Sequence, residues 1–261
     1  MSCLLKGLHA VGNYLASVVT LPLEARLVGS WLPPELELAP QDITPPGTHP
    51  AHLLFGDERQ VHLNWLPFFR IKYAEFAVVV PFVQWKRAGA GYRGPFLFTP
   101  LLYLNKTLPI IAGKVLYGFP KVKAVIKTGR QRYEITDEDN HFLVTEADFS
   151  DNQAPVTTAE RAVISRLIQQ PSVSRMSSGR YVWSAFDWRL PEAKLTSINA
   201  EAGLRSQFIM GLPSGLTTYA ASGVADYSKG GAVRMFTQWT LSLPAPCTPD
   251  TPIPGAPERP L

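Results

Sequence analysis

Lys121 is the residue whose surroundings most clearly suggest chemistry. It follows an apolar segment, 108–117, and then Gly118, Phe119 and Pro120, and another run of aliphatic residues comes after it. A lysine in such surroundings either extends its ammonium group to solvent or lies in an apolar pocket. In a pocket, desolvation would lower the pKa of the amine and give the neutral nucleophile that imine formation requires. A fall in that pKa from about 10.4 to about 7 corresponds to ~4–5 kcal/mol.

Glu75 is a second residue of interest, because it lies in the apolar segment 71–80. If this segment is a strand, its period of two places Glu75 on one face with Tyr73, Ala77 and Val79. A carboxylate on so apolar a face is costly unless it has a partner or takes up a proton. Two interpretations stay open: Glu75 lies at an edge or pairs with a structural arginine, or it belongs to a pocket.

Taken together, these segments resemble the acetoacetate decarboxylase family. The family's motifs occur in the same order from about residue 70 to 125, as Tyr73-Ala-Glu75, Tyr103-Leu-Asn105, Ala112-Gly-Lys114 and Gly118-Phe-Pro-Lys121. The segment 31–38 resembles a helix-ending Pro-x-x-Leu segment of the family, and the resemblance is faint after about residue 130. The aromatic-Pro-Lys motif is its most specific part.

The resemblance implies both a fold and a set of site residues. The family's Schiff-base lysine corresponds to Lys121 and its pocket glutamate to Glu75. Phe119 and Lys123 are then expected to contact the substrate. The fold implied is α+β and mainly antiparallel β, with a barrel-like seven-stranded core, flanking helices and assembly into a homo-oligomer.

The sequence departs from the family where a substrate carboxylate would be held. The lysine that follows the catalytic one in the founding decarboxylases is Val122 here. Lys123 would share a face with Lys121 in a strand and is a candidate substitute cation. The family's early arginine corresponds to the stretch near Asn13-Tyr14, which has none, and its Gly-Arg-Glu segment has become Gly113-Lys-Val115. These changes affect the expected substrate more than the covalent chemistry.

Hydrophobic patterning predicts many strands and few helices. β-branched and aromatic residues indicate strands near 76–83, 96–104, 108–117, 131–135, 142–147, 180–189, 194–202 and 236–243. Thr157 and Glu160 have capping-box spacing ahead of a helical apolar pattern that ends at Ile168. The apolar N-terminal segment, 1–26, is interpreted as a helix that packs on the domain.

Composition limits the remaining classes of protein. With 46% hydrophobic and 18% charged residues among 261, wholesale disorder is excluded. The net charge of +4 is scattered, which argues against nucleic-acid binding, and no apolar run approaches the ~18 residues of a membrane span. Two distant cysteines favour a reducing, cytoplasmic location. Residues 244–261 contain seven prolines and are expected to form a disordered tail on a single domain, 1–243.

The sequence therefore predicts a Schiff-base-forming lyase that acts on a small keto acid or ketone, with decarboxylase-like or aldolase/dehydratase-like chemistry. No cofactor is expected. His49, His52 and His62 lack the carboxylate neighbours of a metal site, and none is predicted there. The alternative is a binding protein of the same fold that holds a small carbonyl ligand without turnover. Retention of both Lys121 and Glu75 favours the enzyme.

Overall fold

β structure dominates the computed structural model, which describes residues 7–139, 141–206, 212 and 214–254. The strands in this part of the chain are β1 (His9–Glu24), β2 (Leu36–Leu38), β3 (Thr48–Leu63), β4 (Ile71–Trp85), β5 (Phe96–Leu104), β6 (Lys121–Lys123), β7 (Val125–Thr128), β8 (Arg132–Thr136), β9 (Leu143–Pro155), β10 (Ser172–Arg175), β11 (Tyr181–Ser184), β12 (Phe186–Asp187), β13 (Lys194–Arg205), β14 (Leu216–Ser222), β15 (Gly231–Ser242) and β16 (Ala245–Cys247). The helices are α1 (Ala25–Gly29), α2 (Thr107–Tyr117) and α3 (Thr158–Ile168).

These sixteen strands form one continuous sheet. Its main path runs β16-β11-β10-β5-β4-β3-β1-β15-β13-β9-β8-β7, and the other four strands branch from it. The pairings of β5 with β10 and with β6 are parallel, and the rest of those described are antiparallel. The prediction of a mainly antiparallel β protein with few helices is confirmed. The prediction of a barrel-like seven-stranded core is wrong, because the described strands form one sixteen-stranded sheet whose path is open, with β16 and β7 at its two ends.

The sheet buries apolar side chains on both of its faces. In β4, for example, Phe76 and Val78 belong to one core cluster, whereas Tyr73 and Ala77 belong to the other. This is the period-two alternation expected of a strand that is covered on both sides. The second of these clusters surrounds the site described below.

Two segments have a different secondary structure from the one expected. The N-terminal segment is a strand from His9 onward, since β1 pairs with β3 on one side and β15 on the other; residues 1–6 lie outside the described part. The segment 107–117 is the helix α2, which ends at Gly118 with φ of 67°. Short apolar runs do not distinguish helix from strand, and packing against the sheet decided both.

The other predicted elements agree better. Helix α3 begins with the expected capping box, in which the Thr157 side chain accepts from Glu160 N and the Glu160 carboxylate accepts from Thr157 N. The remaining predicted strands coincide with β4, β5, β8, β9, β11 with β12, β13 and β15, with shifted ends. None of the described helices is long and apolar enough to cross a membrane.

The first part of the proline-rich segment is ordered, so the prediction of a disordered tail is wrong for residues 244–254. Strand β16 pairs with β11, and Cys247 and Ile253 are buried in a core cluster. The backbone N–H groups of Gly91 and Tyr92 donate to Pro249 O and Thr251 O, each at 3.0 Å. Proline is tolerated because this is an edge strand. Residues 255–261 lie outside the described part.

Candidate active site around Lys121

Strand register brings the predicted site residues to one face of the sheet. Across β1, β3 and β4, Tyr14 lies opposite Glu58 and Glu58 lies opposite Tyr73. In the next row of this face, Glu75 lies opposite Gly56. One row further, Lys121 of β6 lies beside Leu102 of β5, which in turn lies opposite Ala77. Residues of one strand that are two apart share a face, so all these side chains point the same way.

Lys121 is buried, with 8% of its surface exposed. Its Nζ donates a hydrogen bond to Pro109 O at 3.2 Å and lies 5.9 Å from the ring centroids of Tyr73 and Phe119. An ammonium group has three N–H donors, whereas the described residues give Nζ this single hydrogen-bond acceptor. Burial with so few acceptors favours the neutral amine.

Two carboxyl groups share this buried region. Glu75 Oε1 accepts from the Tyr14 hydroxyl at 2.9 Å, and Glu58 Oε2 accepts from the indole Nε1 of Trp239 at 2.8 Å. Glu58 is only 3% exposed. Each acid is therefore held by a neutral donor and not by an arginine or a lysine hydrogen bond.

Burial is the main cause of the pKa shifts in this site. It lowers the pKa of Lys121, while the charges of Glu75 and then Glu58 act in the opposite direction. Burial also raises the pKa of Glu75, against the effects of Lys121 and of the Tyr14 hydroxyl. The pKa of Glu58 is raised well above its ordinary value by burial and by the charge of Glu75. Such shifts bring an amine and a carboxyl group towards the range in which both transfer protons near neutral pH.

Three glycines leave the space that three of these side chains occupy. A Cβ at Gly113 would lie 2.3 Å from Lys121 Cε, and one at Gly56 would lie 2.3 Å from the Tyr14 hydroxyl oxygen. A Cβ at Gly12 would lie 2.8 Å from a ring carbon of Trp239. Only glycine permits such close approach without displacing the neighbour.

The side chains enclose a cavity of about 120 Å³, here called the Lys121 cavity. Its charged lining residues are Lys121, Glu58 and Glu75, and Lys121 is the only base among the described residues that line it. Aromatic rings cover much of the rest: Trp188 stacks on Phe186 with centroids 4.4 Å apart and lies 5.4 Å from Tyr14. The volume is below the ~300–1,000 Å³ that is typical of ligand pockets. A ligand of this cavity must therefore be small.

Of the four residues expected at the site, three line this cavity: Lys121, Glu75 and Phe119. Lys123 does not, and its assignment to substrate binding is corrected. Its Nζ pairs with Glu138 Oε1 at 2.7 Å on the surface. Lys123 is the last of the three residues of β6, and although the alternation predicts that it shares a face with Lys121, its side chain lies outside the cavity. Val122, the other position considered for a second cation, is 43% exposed.

Glu58 and Tyr14 were not predicted as site residues. From sequence, Glu58 stands in Gly56-Asp-Glu58-Arg59, which has the composition of a polar turn. In the structure these residues continue the long strand β3, and Glu58 faces inward. Tyr14 was noted only because the early arginine implied by the resemblance is absent near it. The signal that would have found both is the period-two apolar pattern of β1 and β3.

Possible metal ligands lie elsewhere. His49 Nε2 is 2.8 Å from Pro81 O and His52 Nδ1 is 3.0 Å from Thr20 Oγ1, so both rings have structural partners. Among the described residues, Asp137, Asp139 and His141 each offer a ligand atom within 4.8 Å of the others. Two of these three are exposed, and none lines the Lys121 cavity.

Known structures with a similar fold were found. Acetoacetate decarboxylase from Legionella pneumophila has a TM-score of 0.60 and 13% identity, over 92% of this chain and 87% of that chain. The enduracididine biosynthesis enzyme MppR, complexed with the condensation product of pyruvate and imidazole 4-carboxaldehyde, has a TM-score of 0.59 and 16% identity, over 92% and 90%. An acetoacetate decarboxylase-like enzyme from Sphingomonas wittichii RW1 has a TM-score of 0.56 and 11% identity, over 92% of both chains.

The fold is thus that of the acetoacetate decarboxylases and of enzymes similar to them, and the resemblance seen in the sequence is confirmed at the level of fold. Identities of this size carry the likeness no further than the fold. No protein-family model and no curated protein matches the sequence.

Proposed function

We propose that the protein is a lyase that forms a Schiff base between Lys121 and a small ketone or keto acid. The observation that carries the proposal is the burial of the Lys121 amine in the same small cavity as two carboxyl groups. Burial of this kind lowers the pKa of an amine and produces the nucleophile that attacks a carbonyl.

The covalent step assigns a role to each group. The neutral Lys121 nitrogen adds to the carbonyl carbon, its two protons pass to the carbonyl oxygen, and that oxygen leaves as water, which gives an imine. Protonated, the imine is an iminium that withdraws electrons from the adjacent carbon. A carboxylate at Glu75 then accepts a proton from that carbon to give an enamine, and returns the proton in the reverse step. The raised pKa of Glu75 suits a group that must both accept and donate protons.

The enamine supports more than one bond cleavage. Loss of carbon dioxide, retro-aldol cleavage and elimination of water each leave or require electrons on the carbon beside the iminium. A protein of similar fold, the enzyme MppR, binds the condensation product of pyruvate and imidazole 4-carboxaldehyde, and a ligand of this kind supports the proposal. We propose carbon–carbon or carbon–oxygen lyase activity, the class that includes all three cleavages. Assembly into a homo-oligomer stays a prediction that native mass spectrometry would test.

Borohydride trapping tests the proposal. Borohydride delivers hydride to the iminium carbon and converts the linkage into a stable secondary amine. We expect a panel of small ketones, aldehydes and keto acids to add mass at one site, which peptide mapping locates at Lys121. Lys121→Ala should abolish the adduct, and Lys123→Ala, which removes the nearby surface amine, should retain it. An adduct that survives Lys121→Ala, or a panel that never labels the protein, would contradict the proposal.

Solvent deuterium exchange separates an enzyme from a binding protein. If Glu75 transfers protons, a ketone incubated with the protein in deuterated water, without borohydride, should incorporate deuterium beside its carbonyl carbon. Glu75→Gln should slow this exchange at least ~100-fold. Glu138→Gln, which removes a surface carboxylate, is the matched control. Trapping at Lys121 without any exchange would instead indicate a protein that holds carbonyl compounds without turnover.

A further inference from the structure

Among the described residues, at most one cation faces the two acids of the Lys121 cavity before a substrate binds. One cationic group, the Lys121 ammonium or the iminium made from it, faces two acids, Glu58 and Glu75. With one acid ionised and the other protonated, the three groups together carry no net charge. With both acids ionised, they carry a net negative charge.

A substrate carboxylate would add negative charge to this group in either state. A buried anion is stabilised by an opposite charge or by several hydrogen-bond donors, and is otherwise costly. Two neutral donors of the wall are engaged with the acids, Tyr14 with Glu75 and Trp239 with Glu58. The other neutral polar groups of the described wall are the Trp188 N–H and the hydroxyls of Tyr73, Thr99 and Ser172, none of which carries a positive charge. A carboxylate in the cavity would therefore compete with Glu58 and Glu75 for a single positive charge, that of Lys121 or of the iminium made from it.

Other bases of this region have partners outside the cavity. Lys123 pairs with Glu138 at 2.7 Å, and Arg175 lies 3.6 Å from Glu35. Neither lines the Lys121 cavity. The described structure thus offers no second cation to a bound acid.

The remainder of the described wall carries no charge, since beside the Trp188 N–H and the hydroxyl groups of Tyr73, Thr99 and Ser172 it is apolar. Its aliphatic members come from neighbouring strands of the sheet: Leu54, Ala77, Val79, Leu97, Leu102 and Leu241. Together with the small volume of about 120 Å³, this favours a compact carbonyl compound with short apolar substituents.

We propose that the Lys121 cavity selects a small neutral ketone or aldehyde over a keto acid of the same size, with Glu58 and Glu75 as the residues that exclude the carboxylate. This inference rests on the proposed function, because it concerns the compound that Lys121 takes. It makes loss of carbon dioxide from an acid substrate the least favoured of the possible reactions.

The test compares pyruvate with pyruvamide, which has the same number of heavy atoms and an activated ketone but no charge. Each is incubated with the full chain and cyanoborohydride, and the rate of adduct formation at Lys121 is measured by intact mass and peptide mapping. Each rate is divided by that of the same probe with Nα-acetyllysine, which removes the intrinsic difference in reactivity. We expect the normalised rate for pyruvamide to exceed that for pyruvate at least ~10-fold, as repulsion by a buried carboxylate predicts.

Glu58→Gln tests the cause of the preference. Glutamine keeps the volume of Glu58 and an oxygen for the Trp239 N–H, while it removes the acid. We expect the ratio of the two normalised rates to fall at least ~3-fold in this variant. Glu138→Gln removes a carboxylate outside the cavity and should leave the ratio unchanged. If Glu58→Gln does not fold, the comparison of the two probes in the natural chain decides.

The outcomes distinguish this inference from the function on which it rests. Equal normalised rates for the two probes, or a preference for pyruvate, would overturn the inference and leave the Schiff-base function intact. An unchanged ratio in folded Glu58→Gln would overturn the role given to Glu58. If neither pyruvate, pyruvamide nor acetone forms an adduct at Lys121, the proposed function itself is contradicted.

Discussion

Gly113 of α2 lies directly against the side chain of Lys121. A Cβ at position 113 would be 2.3 Å from Lys121 Cε and 2.7 Å from Nζ, which is closer than two such atoms approach in folded proteins. Helix α2 thus forms one side of the space that the Lys121 side chain occupies, and this is possible because residue 113 has no side chain. This contact joins two segments that carry the resemblance to the acetoacetate decarboxylase family, Ala112-Gly-Lys114 and Gly118-Phe-Pro-Lys121.

The first prediction follows from this contact. Gly113→Ala should displace the amine and reduce the rate of borohydride trapping at Lys121 at least ~10-fold, since small misplacements of reacting groups are costly. Alanine is itself favoured over glycine within a helix by ~1 kcal/mol, so the loss should not come from melting of α2. Lys114→Ala, at an exposed position of the same helix, is the control. Equal trapping in the two variants would show that the lysine tolerates the added carbon.

The second prediction concerns the pH dependence of trapping. Burial lowers the pKa of Lys121, so its neutral amine forms at a lower pH than that of an exposed lysine. The rate of adduct formation should reach half its maximum below pH 10.5, the ordinary value. Glu75 and Glu58 raise this pKa, and Glu75→Gln should therefore move the midpoint further down. A midpoint at or above the ordinary lysine value would contradict the lowered pKa.

The third prediction concerns acetoacetate. Release of carbon dioxide should be weak or absent although neutral ketones form the imine, because no described cation besides Lys121 faces the cavity. Val122→Lys should not restore it, since Val122 is 43% exposed and does not line the cavity. Steady-state release by the natural chain and by Val122→Lys measures both points. Brisk release by the natural chain would mean that the cavity holds a carboxylate after all.

The fourth prediction concerns the C-terminal segment. A chain truncated after Leu243 should melt about 5–15 °C lower, because it loses β16 and the burial of Cys247 and Ile253, worth roughly 2–4 kcal/mol. A chain truncated after Pro254 keeps every described contact of this segment and is the control. Calorimetry on both decides, and identical melting temperatures would show that the packing of residues 244–254 contributes nothing to stability.

The sequence by itself indicated the candidate pair, Lys121 and Glu75, and the type of fold. The local pattern left the roles of Lys121 and Glu75 open, and the two were singled out because their segments together resemble the acetoacetate decarboxylase family, most specifically in the aromatic-Pro-Lys motif. Strand periodicity also gave most of β4, β5, β13 and β15. These features depend on residues close together in the chain, which a pattern can report.

Only the tertiary structure decided which other groups meet the pair. Glu58 and Lys121 are far apart in sequence, and the register of β3, β4, β5 and β6 brings their side chains to one face. A shift of one residue in any of these pairings would turn the side chain to the opposite face. In the same way, Lys123 lies on the surface because β6 ends there. The segment 107–117 is a helix because it packs against the sheet. Register and packing depend on partners distant in the chain, which is why no local pattern could supply them.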